Sequence, residues 1–386
     1  MYEILTCNKI SPKGLAKLDK ALFTVSDNAE KPDAIIVRSA ALHDMEFADN
    51  TIAIARAGAG VNNIPVERCT EKGICVFNTP GANANAVKEL VICALFLTSR
   101  KIVEGSAWCS TLGEDENISK TVEKGKSSFG GCEILGKTLG VYGLGAIGIK
   151  VANAAAALGM KVIGYDPFAN DKTRAALLDE IEIVADLNKI FTESDYITVH
   201  APLTPDTKGI VNCETLKNAK DGVKVLNFAR GELVAEDDII AMLESGKVSA
   251  YATDFPTMKQ IGVKGVVPIP HLGASSEEAE ENCAIMASEQ LADYIVNGNI
   301  KNSVNLPALS LEKQGDARVA VIGKGIDKEQ VSAKLAEASL TVAACADATA
   351  KKTGVSYVLA DVKGEVAGNA IEKVKELDGV IAIRII

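Results

Sequence analysis

Short apolar runs alternate with amphipathic stretches along most of the chain. Tyr2 to Thr6, Ala34 to Val37, Ile52 to Ala55 and Ile74 to Phe77 are compact runs rich in β-branched residues. Gly, Pro and Asn follow several of them, so they read as buried parallel strands. Ser11-Pro12 opens a helix to about Lys20, with proline in its tolerated first-turn place. From Asn83 to Glu104 the spacing is helical, with Val87, Leu90, Val91, Ala94, Leu95 and Leu97 on one broad apolar face. Residues 105–130 are polar and glycine-rich and read as a crossover to a second domain.

The alternation then resumes. Strands are expected at Val162 to Tyr165, Tyr196 to Val199, Val223 to Phe228, Val248 to Thr253 and Val266 to Ile269. Helices are expected around Ile190 and over Asn212 to Ala219, Ala235 to Ser245 and Ser276 to Val296. Such alternation predicts an α/β fold built on a doubly wound parallel sheet. The last 70 residues read differently, in the order βαββαβ of a ferredoxin-like sandwich. They carry no glycine fingerprint, histidine or acid pair, so regulation or assembly is expected of them rather than catalysis.

One stretch adds chemistry to this pattern. The apolar run Thr138 to Tyr142 meets Gly143-Leu144-Gly145-Ala146-Ile147-Gly148, then an alanine-rich helix, then a second strand ending at Asp166. Strand, Gly-x-Gly-x-x-Gly, helix, strand and an acid about 20 residues on form a dinucleotide-binding unit. The first glycine permits a tight turn and the second lets backbone approach a pyrophosphate. The third lets helix pack on strand, while the helix N-terminus around Ala146 and Ile147 faces the phosphates. Asp166 can accept from a ribose 2′-hydroxyl and would repel a 2′-phosphate, so NAD is the expected cofactor.

Charge and cysteine content narrow the partners. A net charge of −10 over 386 residues argues against nucleic acid or an anionic membrane as a partner. No run approaches the roughly 20 apolar residues of a membrane span, and the start lacks a secretory signal pattern. Nine scattered cysteines, none in Cys-x-x-Cys, read as reduced thiols of a cytoplasmic protein, with no metal site. An anionic substrate of so acidic a chain must be drawn in by local basic groups.

Three histidines exist. His43 reads as a loop residue, and His200 as a wall or structural residue at a strand end. His271 stands between Pro270 and Gly273 at another strand end, rigidly placed with room for a ligand, as a general acid/base must be. Arg230 ends the strand Leu226-Asn227-Phe228-Ala229, where a planar fork can take a carboxylate bidentately. NAD, arginine and histidine together fit hydride exchange on a 2-hydroxy acid.

These residues resemble the D-isomer-specific 2-hydroxyacid dehydrogenases over about 35–306, and within them the branch acting on 3-phosphoglycerate. The resemblance rests on Ile36-Val37-Arg38-Ser39, on Ala55 to Pro65, on Phe77-Asn78-Thr79-Pro80, and on Leu135 to Gly140 leading into the glycine turn. It rests also on Asn227-Phe228-Ala229-Arg230-Gly231 and on Pro270-His271-Leu272-Gly273-Ala274-Ser275-Ser276-Glu277-Glu278-Ala279. It implies Arg230 as substrate-binding catalytic arginine and His271 as acid/base. It implies Arg38, Arg56 and the loop Ala57, Gly58, Ala59 and Gly60 as substrate-binding. Ala201, Pro202, Phe228, Ala229, Asp254, Gly273 and Ala274 join Asp166 and the glycine turn around NAD, with Asp254 at the nicotinamide end.

By the same resemblance, residues 1–104 with 281–306 form a discontinuous flavodoxin-like substrate domain, and 105–280 a Rossmann-type NAD domain. Residues 307–316 form a linker and 317–386 an ACT-like domain, with a homodimer or homotetramer expected. Two departures stand out. The family follows its aspartate strand with Glu-Pro, whose glutamate pairs with the histidine, whereas here the strand continues Asp254-Phe255-Pro256-Thr257-Met258-Lys259. The ACT-like segment lacks the usual Asn-x-Pro-Gly turn, so subunit pairing is the expectation for it rather than serine sensing. The rival expectations are a glyoxylate or hydroxypyruvate reductase of the same family and an NAD-sensing protein that has lost turnover.

Overall fold

A computed structural model describes residues 1–113 and 116–386. The first sheet is five-stranded and parallel: β1 (Tyr2–Cys7), β2 (Phe23–Ser26), β3 (Ala34–Val37), β4 (Ala53–Arg56) and β5 (Cys75–Phe77), in the order β2-β1-β3-β4-β5. That is the flavodoxin-like order. The edge strand β2, Phe-Thr-Val-Ser, has no apolar run and escapes a hydropathy reading.

The second sheet is seven-stranded and parallel. It comprises β6 (Thr138–Tyr142), β7 (Lys161–Tyr165), β8 (Glu182–Ile183), β9 (Tyr196–Val199), β10 (Val223–Asn227), β11 (Val248–Thr253) and β12 (Val266–Pro268). Their order is β12-β11-β10-β9-β6-β7-β8, with the reversal of strand order between β6 and β9. Ligands of doubly wound sheets lie at that switch point, beyond the carboxyl ends of the strands. The expected helix at Asn212 to Ala219 is a series of turns instead. There the Asn212 side chain accepts from the amides of Glu214 and Thr215, and Lys217 and Ala219 bond back only three residues, so no second α-turn forms. The crossover at 105–130 is more ordered than its composition suggests, with helices Ile102–Cys109 and Ile118–Gly125.

The third sheet is antiparallel: β13 (Ala317–Lys324), β14 (Thr341–Thr349), β15 (Val355–Lys363) and β16 (Val380–Ile385), in the order β14-β15-β13-β16. With the helices Lys328–Glu337 and Gly368–Lys375 this is the expected βαββαβ arrangement.

Two compact units emerge, Met1–Asn83 with Glu277–Ile386, and Ala84–Ser276. They divide the chain elsewhere than the sequence boundaries. The helix Ala84–Ser99 was expected with the first domain, yet Val87, Val91, Ala94 and Leu95 share a core with Leu139, Val141 and Val151 of the cofactor unit. The C-terminal sheet, expected as a separate domain, contributes Ala320, Ile322, Val355, Tyr357 and Leu359 to the core that holds Ile4, Phe77 and Tyr294. Apolar burial decides both cases, since neither face could otherwise leave water.

Polar groups fix that second attachment. Arg318 and Asp361, both buried, form a bidentate pair at 2.6 and 2.9 Å, and Arg318 Nη1 also donates to Asn297 O at 2.5 Å. Burial alone would raise the Asp361 pKa, but Arg318 and the Gln314 amide keep it below the usual carboxylate value. Tyr357 donates to Gly298 O at 2.7 Å, and Arg384 lies over the Tyr294 ring while donating to its carbonyl.

Candidate active site

The cofactor turn is explained by three steric facts. Gly143 has φ +98°, and a β-carbon there would come within 2.7 Å of the His200 carbonyl carbon. A β-carbon on Gly148 would overlap the Gly143 carbonyl oxygen, while one on Gly145 would meet nothing within 4 Å. The first and third glycines therefore serve packing, and the second leaves open space at the start of the Ala146–Ala157 helix. Asp166, just past β7, accepts from the Leu144 amide at 2.9 Å and the Phe168 amide at 2.8 Å. The open approach, the helix N-terminus and a pinned carboxylate fit a dinucleotide: Gly145, Ala146 and Ile147 would face its phosphates and Asp166 its ribose.

The other cofactor candidates fall at neighbouring strand ends of the same sheet. Ala201 and Pro202 follow β9, Phe228 and Ala229 follow β10, Asp254 follows β11, and Gly273 and Ala274 follow β12. His200 hydrogen-bonds Thr198 Oγ1 at 2.9 Å, and its Nδ1 is buried without a partner. Burial pushes its pKa down to about 4, so it is neutral near pH 7. His43 sits in an exposed loop with its Nε2 2.9 Å from Asn62 O.

Arg230, Asp254 and His271 form the charged corner of this unit. Asp254 is 2% exposed; its Oδ2 accepts from the Gly273 amide at 3.3 Å, and its Oδ1 is buried without a hydrogen bond. Burial raises its pKa, while the nearby charges of His271 and Arg230 pull the other way. One carboxylate thus lies within electrostatic reach of both groups expected to do chemistry. Arg230 is exposed, donates to Ala229 O at 2.6 Å, and has its own carbonyl held by Asn227 Nδ2 at 2.8 Å. His271 is exposed and lies against Phe255, ring centroids 4.7 Å apart and tilted 51°.

Phe255 was not foreseen as part of the site. It lies directly after the aspartate strand, at the place where relatives carry Glu-Pro. A β-carbon on Gly231 would meet the Phe255 β-carbon at 3.3 Å, so the ring wedges between the residue after Arg230 and His271. His271 is held here by an aromatic face rather than by a carboxylate.

In the other unit, Arg38 and Arg56 stand at the carboxyl ends of β3 and β4, which pair with Val37 opposite Arg56. Arg56 Nε donates to Arg38 O at 3.1 Å, and its guanidinium lies over Gly58, where any side chain would displace it. Two of the four loop amides expected to meet substrate are committed within the protein. Ala57 N–H donates to Val37 O and Gly58 N–H to Arg56 O. Arg38 pairs with Glu280 at 2.5 Å. Glu280 was also missed, although it directly follows the most specific family motif.

Among the described residues, no helix is long and apolar enough to cross a membrane, and no group of three or more His, Cys, Asp or Glu could hold a metal ion.

Comparisons with known proteins bear on the family and the fold. Residues 92–273 match the D-isomer specific 2-hydroxyacid dehydrogenase, NAD binding domain. The chain is 40% identical over 271 residues to a hydroxypyruvate reductase of Thermotoga maritima, covering 67% of this chain and 83% of that protein. It is 36% identical over 292 residues to a D-3-phosphoglycerate dehydrogenase of Methanocaldococcus jannaschii, covering 73% of this chain and 53% of that one. It thus spans about half the length of the curated 3-phosphoglycerate dehydrogenases it matches. The NAD⁺-bound crystal structure of 3-phosphoglycerate dehydrogenase from Entamoeba histolytica superposes with TM-score 0.61 at 28% identity, covering 79% of this chain and 98% of that one. Sequence, fold and strand-end chemistry together place the chain in the D-isomer-specific 2-hydroxyacid dehydrogenase family, with that family's NAD-binding domain.

Proposed function

We propose that the protein oxidises 3-phosphoglycerate to 3-phosphohydroxypyruvate with NAD, the first step of L-serine biosynthesis. The observation that carries this reading is the corner where Arg230 and His271 both act on buried Asp254, at the carboxyl ends of the cofactor sheet.

Arg230 presents a planar fork that takes the substrate carboxylate and polarises the reacting oxygen. His271 accepts the hydroxyl proton at a ring nitrogen as the C–H bond breaks. A bound nicotinamide supplies the hydride acceptor. Asp254 aims an unsatisfied oxygen that a bound ligand can complete. Phe255 limits the tilt of the His271 ring. The ring of His271 packs on Phe255, where the family places a glutamate. Arg38 and Arg56 supply positive charge for the substrate phosphate in an otherwise acidic protein. The amides of Ala59 and Gly60 serve the carboxylate side of the substrate. A homodimer or homotetramer in the cytoplasm is the assembly that accompanies this reading.

A second reading, reduction of hydroxypyruvate or glyoxylate, is favoured by one observation: Arg38 is already neutralised by Glu280. NADH oxidation measured with 3-phosphohydroxypyruvate, hydroxypyruvate and glyoxylate separates the two. The highest kcat/KM is expected with the phosphorylated ketoacid. A preference for either unphosphorylated one would transfer the assignment, and NAD binding without turnover on any would leave a sensor.

A further inference from the structure

The Arg38–Glu280 pair sits where the substrate's charge would be recognised, and it need not form for the fold to stand. Glu280 lies in the first turn of the helix Glu277–Asn297, whose Ala279, Cys283 and Ala284 are buried in the first unit's core. Its neighbours on that helix tie down elsewhere, Glu281 to Lys13 at 2.8 Å and Glu289 to Lys17 at 3.0 Å. Glu280 alone of these turns to an arginine at the strand-end edge, reaching Arg38 Nη2 at 2.5 Å with both side chains 40% exposed. Arg56 is adjacent, its Nε on the Arg38 carbonyl.

Two guanidiniums on neighbouring strand ends repel each other, and an acid paired with one of them offsets that cost. An exposed acid can also leave when a stronger anion arrives. A phosphate group carries close to two charges near pH 7 and three acceptor oxygens, so it competes for Arg38 where a lone hydroxyl cannot.

We infer that Glu280 is an internal stand-in for the substrate's phosphate, held on Arg38 until a dianion displaces it, and that it sets the discrimination between phosphorylated and unphosphorylated 2-hydroxy acids. The inference rests on the proposed assignment of Arg38 to substrate binding. In its simplest consequence, the carboxylate handicaps every ligand that needs Arg38. Removing its charge should therefore help the phosphorylated ligand selectively.

The test uses the full chain loaded with NADH and the variant Glu280→Gln. Calorimetric titration with 3-phosphoglycerate and with D-glycerate is paired with turnover of 3-phosphohydroxypyruvate and hydroxypyruvate. The variant is expected to bind 3-phosphoglycerate about two- to fivefold tighter, the range of an exposed ion pair. The KM for 3-phosphohydroxypyruvate should fall by a similar factor while D-glycerate and hydroxypyruvate are unchanged. The gain should shrink in high salt, and it should be absent when Glu280→Gln is added to Arg38→Ala.

A weaker affinity for the phosphorylated ligand in Glu280→Gln would overturn the inference, because Glu280 would then orient Arg38 rather than compete for it. An equal change for both ligands, or none, would overturn it too. Tighter 3-phosphoglycerate binding in the variant, with wild-type turnover only on hydroxypyruvate, would sink the proposed substrate and leave the competition intact.

Discussion

The glycine turn and the acid/base corner lie on the same sheet, yet they differ in how far the protein completes them by itself. Around Gly143 the protein closes the turn with its own groups: Asp166 is held by two loop amides, and the nearest contacts of Gly143 and Gly148 are backbone contacts. Around Asp254 the protein leaves work undone, with one carboxylate oxygen buried and unbonded. His271 rests on a ring instead of an acid. A preformed cradle suits a cofactor shared by every turnover. An unfinished corner suits a ligand whose charge changes as it reacts, because stabilisation is then available when that charge develops.

The comparison is broken most severely at His271. His271→Ala should lower single-turnover hydride transfer by roughly 10²–10⁴-fold and leave NAD affinity intact, as rapid-quench and titration measurements would show. Unchanged hydride transfer would remove His271 from the chemistry. On the opposite side, Gly148→Val forces a side chain into the Gly143 carbonyl. NAD affinity should fall by about 100-fold, equivalent to ~2.7 kcal/mol, and tight binding by the variant would mean that the turn is not the cradle.

A pH titration sharpens the structural side. His200 is held neutral, with its pKa down to about 4. The unfolded chain takes up a proton near pH 6.5 while the folded one resists until about 4, so stability is lost as pH falls through that window. The loss should reach about 3 kcal/mol. Denaturant melts between pH 7 and 4 should show it, and His200→Gln should abolish that share of the slope.

Asp254 titrates the other way. Its folded pKa is raised by burial, so its charge costs stability once pH rises through the folded value, and nothing below the unfolded one. Asp254→Asn should therefore stabilise the protein at pH 7 while slowing turnover. The gain should vanish below about pH 4. A destabilised variant at pH 7 would show that the carboxylate is satisfied after all.

Much of this was legible along the chain. Periodicity gave the alternation of both parallel sheets, because buried parallel strands are continuous apolar runs. The glycine spacing and Asp166 marked the cofactor cradle, because steric and hydrogen-bonding demands there are local. Strands β2 and β8 were not legible, since short edge strands need no apolar run. Nor was the failure of Asn212–Ala219 to form a helix, where side-chain bonds to nearby amides win over propensity.

The sequence by itself determined which chemical groups this protein has and roughly which strand ends carry them. Only the tertiary structure decided their company. It set Phe255 against His271, left an Asp254 oxygen without a partner, brought Glu280 to Arg38, and merged the C-terminal sheet with the first unit's core. The physical reason is range. Turns, caps and periodicity are settled within a few residues, whereas desolvation and ion pairing depend on groups far apart in the chain, such as Arg38 and Glu280, 242 positions apart, which only packing brings together.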